Sequence, residues 1–280
     1  MLNRMLPSVA FFLLAFAATR NVAALKRFLW VIGLCSIVLV YHGWQQRTYG
    51  VGFTGEVAIQ EIRIRYIGIL NDPNDLGLLF NMGIVGSGYL FWASEKRVVK
   101  AVATTIIAIL LYGIYLTDSR GSMLATLTAA GYVVYRVRGA TTVIVMLALG
   151  LPILLAATRL STISSEEASA EGRIDAWTEG LYMLRQNPLF GVGYNGFADN
   201  NFGLTAHNSI ILPLAEIGIP GYICWFGFCA ICAVMCWRAA FAQEAAADPN
   251  HQRAAHAIFV MGLSFFVGVM FLSQSYKPLL

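Results

Sequence analysis

Charge is scarce in this sequence: Asp, Glu, Lys and Arg make up 12% of its 280 residues, against 58% hydrophobic residues and a mean hydropathy of +0.66. A soluble domain of this length needs a better-charged surface, so that class is excluded. Acids are the scarcer sign, 15 against 19 bases. The basic surplus lies in short connections between apolar runs and forms no nucleic-acid-binding face. Cysteine is also sparse: Cys35, Cys224, Cys229, Cys232 and Cys236 all fall inside apolar runs and supply no disulfide framework. Cys229, Cys232 and Cys236 share a helical face, but without further ligands in that layer they read as small residues packed between helices, not as a metal site. Phosphate-cradling glycine loops and the zinc-binding HExxH pattern are absent, and Ser119 and Ser122 have no base partner in the sequence. With no internal repeat and no low-complexity linker, residues 1–280 read as one membrane domain.

What is present in abundance is apolar sequence. Crossing the hydrocarbon core takes about 20 residues of helix, and runs approaching that length recur at Met5–Thr19, Phe28–Trp44, Leu76–Ala93, Ala101–Thr117, Met123–Tyr135, Thr141–Ala157, Ser209–Trp237 and Ala257–Ser275. The expected fold is therefore all-α, a polytopic transmembrane bundle of about eight spans. Arg20, Lys26 and Arg27, then Lys96, Arg97 and Lys100, then Arg136 and Arg138, then Arg238 and Arg253 occupy alternate connections, which the positive-inside rule assigns to the cytoplasm. Gln45–Asp75, Asp118–Gly121, Thr158–Ala206 and the tail after Ser275 are then extracytoplasmic. This orientation puts the N-terminus outside, directly ahead of an apolar run, and reads as a chain whose earlier spans are missing.

The long outer loop, residues 158–208, is too extended for a simple connection. Within it, Glu171 to Gln186 places Trp177, Leu181 and Leu184 on one stripe of a surface helix with Arg173 at its start. Asn187-Pro188 stops that helix, and LFGVGYNGF supplies the glycines of a tight return toward the membrane.

Three groups of residues can carry chemistry. His207, where the loop re-enters the membrane, can accept a proton from an incoming hydroxyl, although a lone imidazole there reads equally as an interfacial or capping residue. Arg65, Arg120 and Arg173, with Arg63, Arg159 and Arg185, gather guanidinium groups on the outer side, a chemistry suited to a diphosphate. Local pairing, of Arg120 with Asp118 or of Arg173 with Asp175 or Glu171, is the competing reading. In Asn71-Asp72-Pro73-Asn74-Asp75, Asp72 or Asn74 caps the following helix, or the paired carboxylates bind a divalent ion or an acceptor sugar. Glu216, inside an apolar run and followed by Gly218, Pro220 and Gly221, leaves a transporter with a broken helix as an alternative of another class. A non-catalytic scaffold is a second.

The stretch GRIDAWTEGLYMLRQNPLFGVGYNGF followed by AHNSIILPLAEIGIPG resembles the O-antigen ligase and Wzy-type polymerase superfamily of bacterial envelope glycan transferases. The ligase pattern of His, then Asn, Ser or Gln, nine residues, Gly, two residues and Gly, Thr or Tyr is met by His207-Asn208, Gly218 and Gly221. The NDPND and TDSRGS turns resemble further family landmarks. The resemblance implies a multi-pass enzyme of the bacterial inner membrane that takes part in lipopolysaccharide or exopolysaccharide assembly. It implies transfer of a glycan from undecaprenyl diphosphate to a glycan, lipid or protein acceptor on the extracytoplasmic face, without metal or other cofactor. It also implies His207 as the base on the acceptor hydroxyl, Arg120, Arg173 and Arg65 on the diphosphate, and Asn208, Asp72 and Asn74 in support. A repeat-unit polymerase, whose acceptor is a second lipid-linked glycan, is the alternative within the class.

Overall fold

The structure, a computed structural model, describes residues 19–59, 62–159, 163–201, 206, 208–241 and 248–270, with Leu13, Phe16 and Ala17. Nine α-helices run through the described residues and no strand is among them. They are α1 (Val22–Tyr49), α2 (Pro73–Trp92), α3 (Arg97–Thr117), α4 (Arg120–Arg138), α5 (Ala140–Arg159), α6 (Ile163–Gln186), α7 (Gly196–Asn200), α8 (Ile211–Phe241) and α9 (Pro249–Val269). Four of them, α1, α3, α8 and α9, are long and apolar enough to cross a membrane. Exposed side chains such as Val98, Tyr115, Ile223 and Ile231 give these helices apolar outer surfaces, which suit lipid and not water. The chain is a multi-pass membrane protein.

Of the eight expected runs, seven fall on helices and Met5–Thr19 lies largely outside the described residues. The count of four strong spans is lower than expected partly because α2 carries Asn74, Asp75, Asn81 and Ser87, all buried, along its length. It is the inner helix of its unit, with polar side chains turned inward. The cysteines of α8 also differ from expectation: Cys224, Cys229 and Cys232 are exposed and Cys236 half-buried, so they stand mostly on the helix's open surface instead of packing between helices.

The chain divides into two compact units, residues 1–126 with 230–268 and 276–280, and residues 127–229 with 269–275. In the first, Asn21 Oδ1 caps α1 at Ala24 N (2.8 Å), and the helix stops at Gly50, whose φ of 81° is open to glycine. Asp72 and Pro73 start α2 as N-cap and first-turn proline. Helices α1 and α2 run antiparallel and α3 runs alongside α1, since Gly33 meets Ser87 and Ile106 while Gly113 meets Val40 and Phe80. A Cβ at Gly113 would lie 2.6 Å from Val40 Cγ2, so this crossing depends on the missing side chain. Val40, Leu76, Phe80, Ile106, Leu110 and Ile114 fill the core between the three helices. Helix α9 lies along α2, with Met261 against Gly86 and with Ala254 and Ala257 beside Leu29, Ile32, Tyr89 and Leu90.

The connection after α1 folds back onto that helix. His42, fully buried, is boxed edge-on by Phe53 and Tyr66 at ring separations of 4.6 and 5.0 Å. Gln46 Nε2 donates to Glu56 O (3.0 Å) and its Oε1 accepts from Arg65 N (3.0 Å). These contacts fix the backbone that carries Arg63 and Arg65.

In the second unit, α6 begins at Ile163, eight residues before the expected Glu171, so Arg173 sits well inside the helix and not at its start. The buried face also differs: Ala176, Gly180 and Met183 are buried and Trp177 and Leu184 half-buried, while Leu181 is exposed. The reason is close approach. A Cβ at Gly180 would lie 2.6 Å from Ile211 Cγ2 and 3.0 Å from Phe197 Cε2, so the small-residue side faces inward. As expected, the helix ends at Gln186, ahead of Asn187-Pro188.

Helix α8 is broken at Gly218, where φ is 66° and ψ −176°. The break releases backbone groups from the helical ladder, and the glycine loop takes them up. Val192 N donates to Ala215 O (3.0 Å), Gly193 N to Glu216 O (2.9 Å) and Ile219 N to Pro188 O (2.8 Å).

Candidate functional site

His207 itself lies outside the described residues, but its two neighbours do not. Ala206 is fully buried, and its carbonyl accepts the indole N–H of Trp177 at 3.1 Å. Asn208, also buried, accepts from Ile210 N (2.8 Å) and Ile211 N (3.3 Å) and so caps α8. Ser209 N donates to Val269 O at 3.1 Å. Position 207 is thus flanked by backbone held on one side through α6 and on the other through α8. The side chain of Arg173 lies outside the described residues; its backbone stands one turn before Trp177 in α6.

The role of Trp177 was not legible in its sequence setting, where it reads as one apolar residue of a stripe. Only the indole N–H, a donor that needs a partner when buried, hinted at more. Trp177→Phe keeps an aromatic ring, though a smaller one, and removes that donor, leaving the buried Ala206 carbonyl without it. We expect thermal unfolding of the purified protein to show a loss of about 1–3 kcal/mol. A stability equal to that of the unaltered protein would show that the bond contributes nothing.

Glu216 is the second residue whose place the sequence hid. It is 4% exposed, and its Oε1 accepts from Phe197 N at 3.3 Å, with the backbone of Asn195 also bonded to it. The carboxylate therefore caps the short α7 and joins its own helix to residues 195–197. The transporter reading rested on this acid and on a broken helix after it; the helix is broken at Gly218, while the acid's Oε1 is engaged with loop backbone.

In the first unit, the NDPND and TDSRGS turns come together. Asp72 Oδ1 accepts from both Asn74 N and Asn74 Nδ2 at 2.8 Å. Asn74 Oδ1 accepts from Ser119 Oγ (2.6 Å) and Arg63 Nη2 (3.3 Å), and Arg63 Nε donates to Thr117 O (3.3 Å). Ser122 Oγ donates to Ser119 Oγ at 2.9 Å. The two serines are therefore parts of a buried polar junction centred on Asn74, and Arg63 joins them. Asp72 and Asn74 act structurally here, the first as the expected cap.

Arg65 and Arg120 differ in their surroundings. Arg65 pairs with Glu56 Oε2 at 3.0 Å and also donates to Val57 O (2.9 Å) and Asn71 Oδ1 (3.3 Å). Arg120 is the first residue of α4, exposed, and directly follows the buried Ser119. The junction of the two turns thus sets the start of the helix that presents Arg120.

Among the described residues no group of three or more His, Cys, Asp or Glu is arranged to hold a metal ion.

Residues 105–226 match the family model described as O-antigen ligase. No curated protein matches the chain. The matched segment runs from within α3 to within α8 and contains Arg120, Arg173, Trp177, His207, Asn208, Glu216, Gly218 and Gly221; Arg65, Asp72 and Asn74 precede it. Over that segment the resemblance to the O-antigen ligase and Wzy-type superfamily holds, and with it a glycosyltransferase-like enzyme of the membrane.

Proposed function

We propose, from the O-antigen ligase match over residues 105–226, that this protein transfers a glycan from undecaprenyl diphosphate to an acceptor hydroxyl on the extracytoplasmic face of a bacterial inner membrane. The observation that carries the reading is the matched motif His207-Asn208 with Gly218 and Gly221, set in backbone that Trp177 and the Asn208 cap hold in place. In the proposed step His207 takes the proton of the acceptor hydroxyl as its oxygen attacks the anomeric carbon. The bond from that carbon to the diphosphate oxygen breaks, and its electron pair leaves with undecaprenyl diphosphate.

Arg120 and Arg173 are assigned to the charge that grows on this leaving group. Guanidinium groups suit the task because they stay charged and bind phosphate oxygens in pairs. Arg65 is the third candidate, though it would have to exchange Glu56 for the diphosphate. No metal or nucleotide sugar enters the proposed step.

The lipid-linked glycans of cells lacking the gene test this directly. Ligation leads us to expect long undecaprenyl-linked chains to accumulate with the acceptor unmodified, and both to return to normal when the gene is restored. Accumulation of single repeat units would instead assign polymerisation, and an unchanged glycan profile would contradict transfer of either kind.

A further inference from the structure

The last turn of α2 is surrounded by cations from other helices. Lys26 of α1 lies over the Tyr89 ring at 6.0 Å, Lys100 of α3 over Phe91 at 5.6 Å and Arg253 of α9 over Trp92 at 5.5 Å. Arg253 also acts electrostatically on Tyr89, so Lys26 and Arg253 both act on the same side chain. Tyr89 is 3% exposed, and its hydroxyl has no hydrogen-bond partner.

Two described acids of the neighbouring connections are otherwise engaged: Glu95 pairs with Lys100 at 3.9 Å, and Asp248 with His251 and with Asn250 N at the start of α9. Among the described residues no carboxylate pairs with Lys26 or Arg253. Two cations therefore meet a buried phenol whose hydroxyl is unpaired, and a buried polar group left unpaired calls for a partner. Among the described residues no acceptor carrying negative charge joins them.

Its depth narrows the choice. Lys26 and Arg253 lie in the first turns of two helices long and apolar enough to cross a membrane, so the group sits where spans begin, at the level of lipid headgroups. The exposed Trp92 ring beside it is the kind of side chain that settles at that level. We infer that Lys26, Arg253 and the Tyr89 hydroxyl form a binding site for the phosphate of an anionic phospholipid between α1, α2 and α9.

Native mass spectrometry of the delipidated full chain, titrated with phosphatidylglycerol or with phosphatidylcholine of the same acyl chains, tests the site. We expect preferential retention of phosphatidylglycerol, and a loss of roughly 10- to 30-fold in its affinity in the Lys26→Gln/Arg253→Gln protein. Lys96→Gln/Arg97→Gln removes the same charge from two exposed positions at the start of α3 and is expected to change that affinity less than about threefold. Tyr89→Phe, a conservative change, should weaken it by roughly threefold and serves if the double variant fails to fold. Equal losses in the two double variants would reduce the effect to net charge and overturn the proposal. So would indifference between the two lipids, unchanged affinity in Tyr89→Phe, or displacement of the lipid by inorganic phosphate alone.

Discussion

The His207→Ala protein is expected to reach the membrane in normal amount, to bind its glycan donor, and to transfer it about 10²–10⁴-fold more slowly, the usual cost of removing a general base. The effect should fall on kcat and leave KM for the donor nearly unchanged, because the proton moves only as the acceptor oxygen attacks. Such a split separates chemistry from structure. Ala206 is held by Trp177, and Asn208 caps α8 with its own side chain, so none of these neighbouring bonds needs the imidazole. Steady-state rates with purified protein in vesicles give the answer. A loss of folded protein in proportion to the loss of rate would return His207 to a structural role.

Gly218→Ala is expected to be as damaging, for a different reason. With φ of 66° and ψ of −176° the position lies in a region that glycine alone occupies readily. Strain of that kind costs about 1–3 kcal/mol. A Cβ would also lie 2.6 Å from Leu189 O and 2.8 Å from Gly191 N, which are backbone atoms and cannot rotate aside. The chain would have to part there, releasing the bonds from Val192, Gly193 and Ile219 that close the break. With total stabilities of about 5–15 kcal/mol, we expect transfer to be lost and the amides of residues 189–219 to exchange much faster in deuterium. Gly227→Ala, where a Cβ would meet nothing within 4 Å, is the matched control. Exchange and activity as in that control would contradict the close approach.

These two positions show what could be read from the chain before its structure. Glycine at 218 is visible as part of a spaced pattern after His207, but the reason for it is backbone from residues 189–191, which no local pattern reports. The apolar runs placed most helices correctly because a membrane-spanning helix advertises its length and hydropathy. The start of α6 escaped because residues 163–170 are rich in serine, alanine and glutamate, which lack an apolar stripe yet extend the helix. Capping by Asp72 was legible since its target is two residues away; the pairing of Ser119 with Asn74 was not, since 45 residues separate them. Trp177 shows the same limit, because its partner Ala206 lies 29 residues on. Residues acting within a turn could be read in advance, and residues acting across the fold could not.

The most direct measurement is transfer by the purified protein in vesicles. It would use undecaprenyl diphosphate carrying a labelled glycan, envelope from cells lacking the gene as the source of acceptor, and a chelator to remove divalent metal. With the unaltered protein, label should pass to the acceptor as one undecaprenyl diphosphate is released for each glycan moved, and His207→Ala should give almost none of either. Label that stays on the lipid with the unaltered protein, or that moves equally fast with His207→Ala, would contradict a transferase working through this histidine.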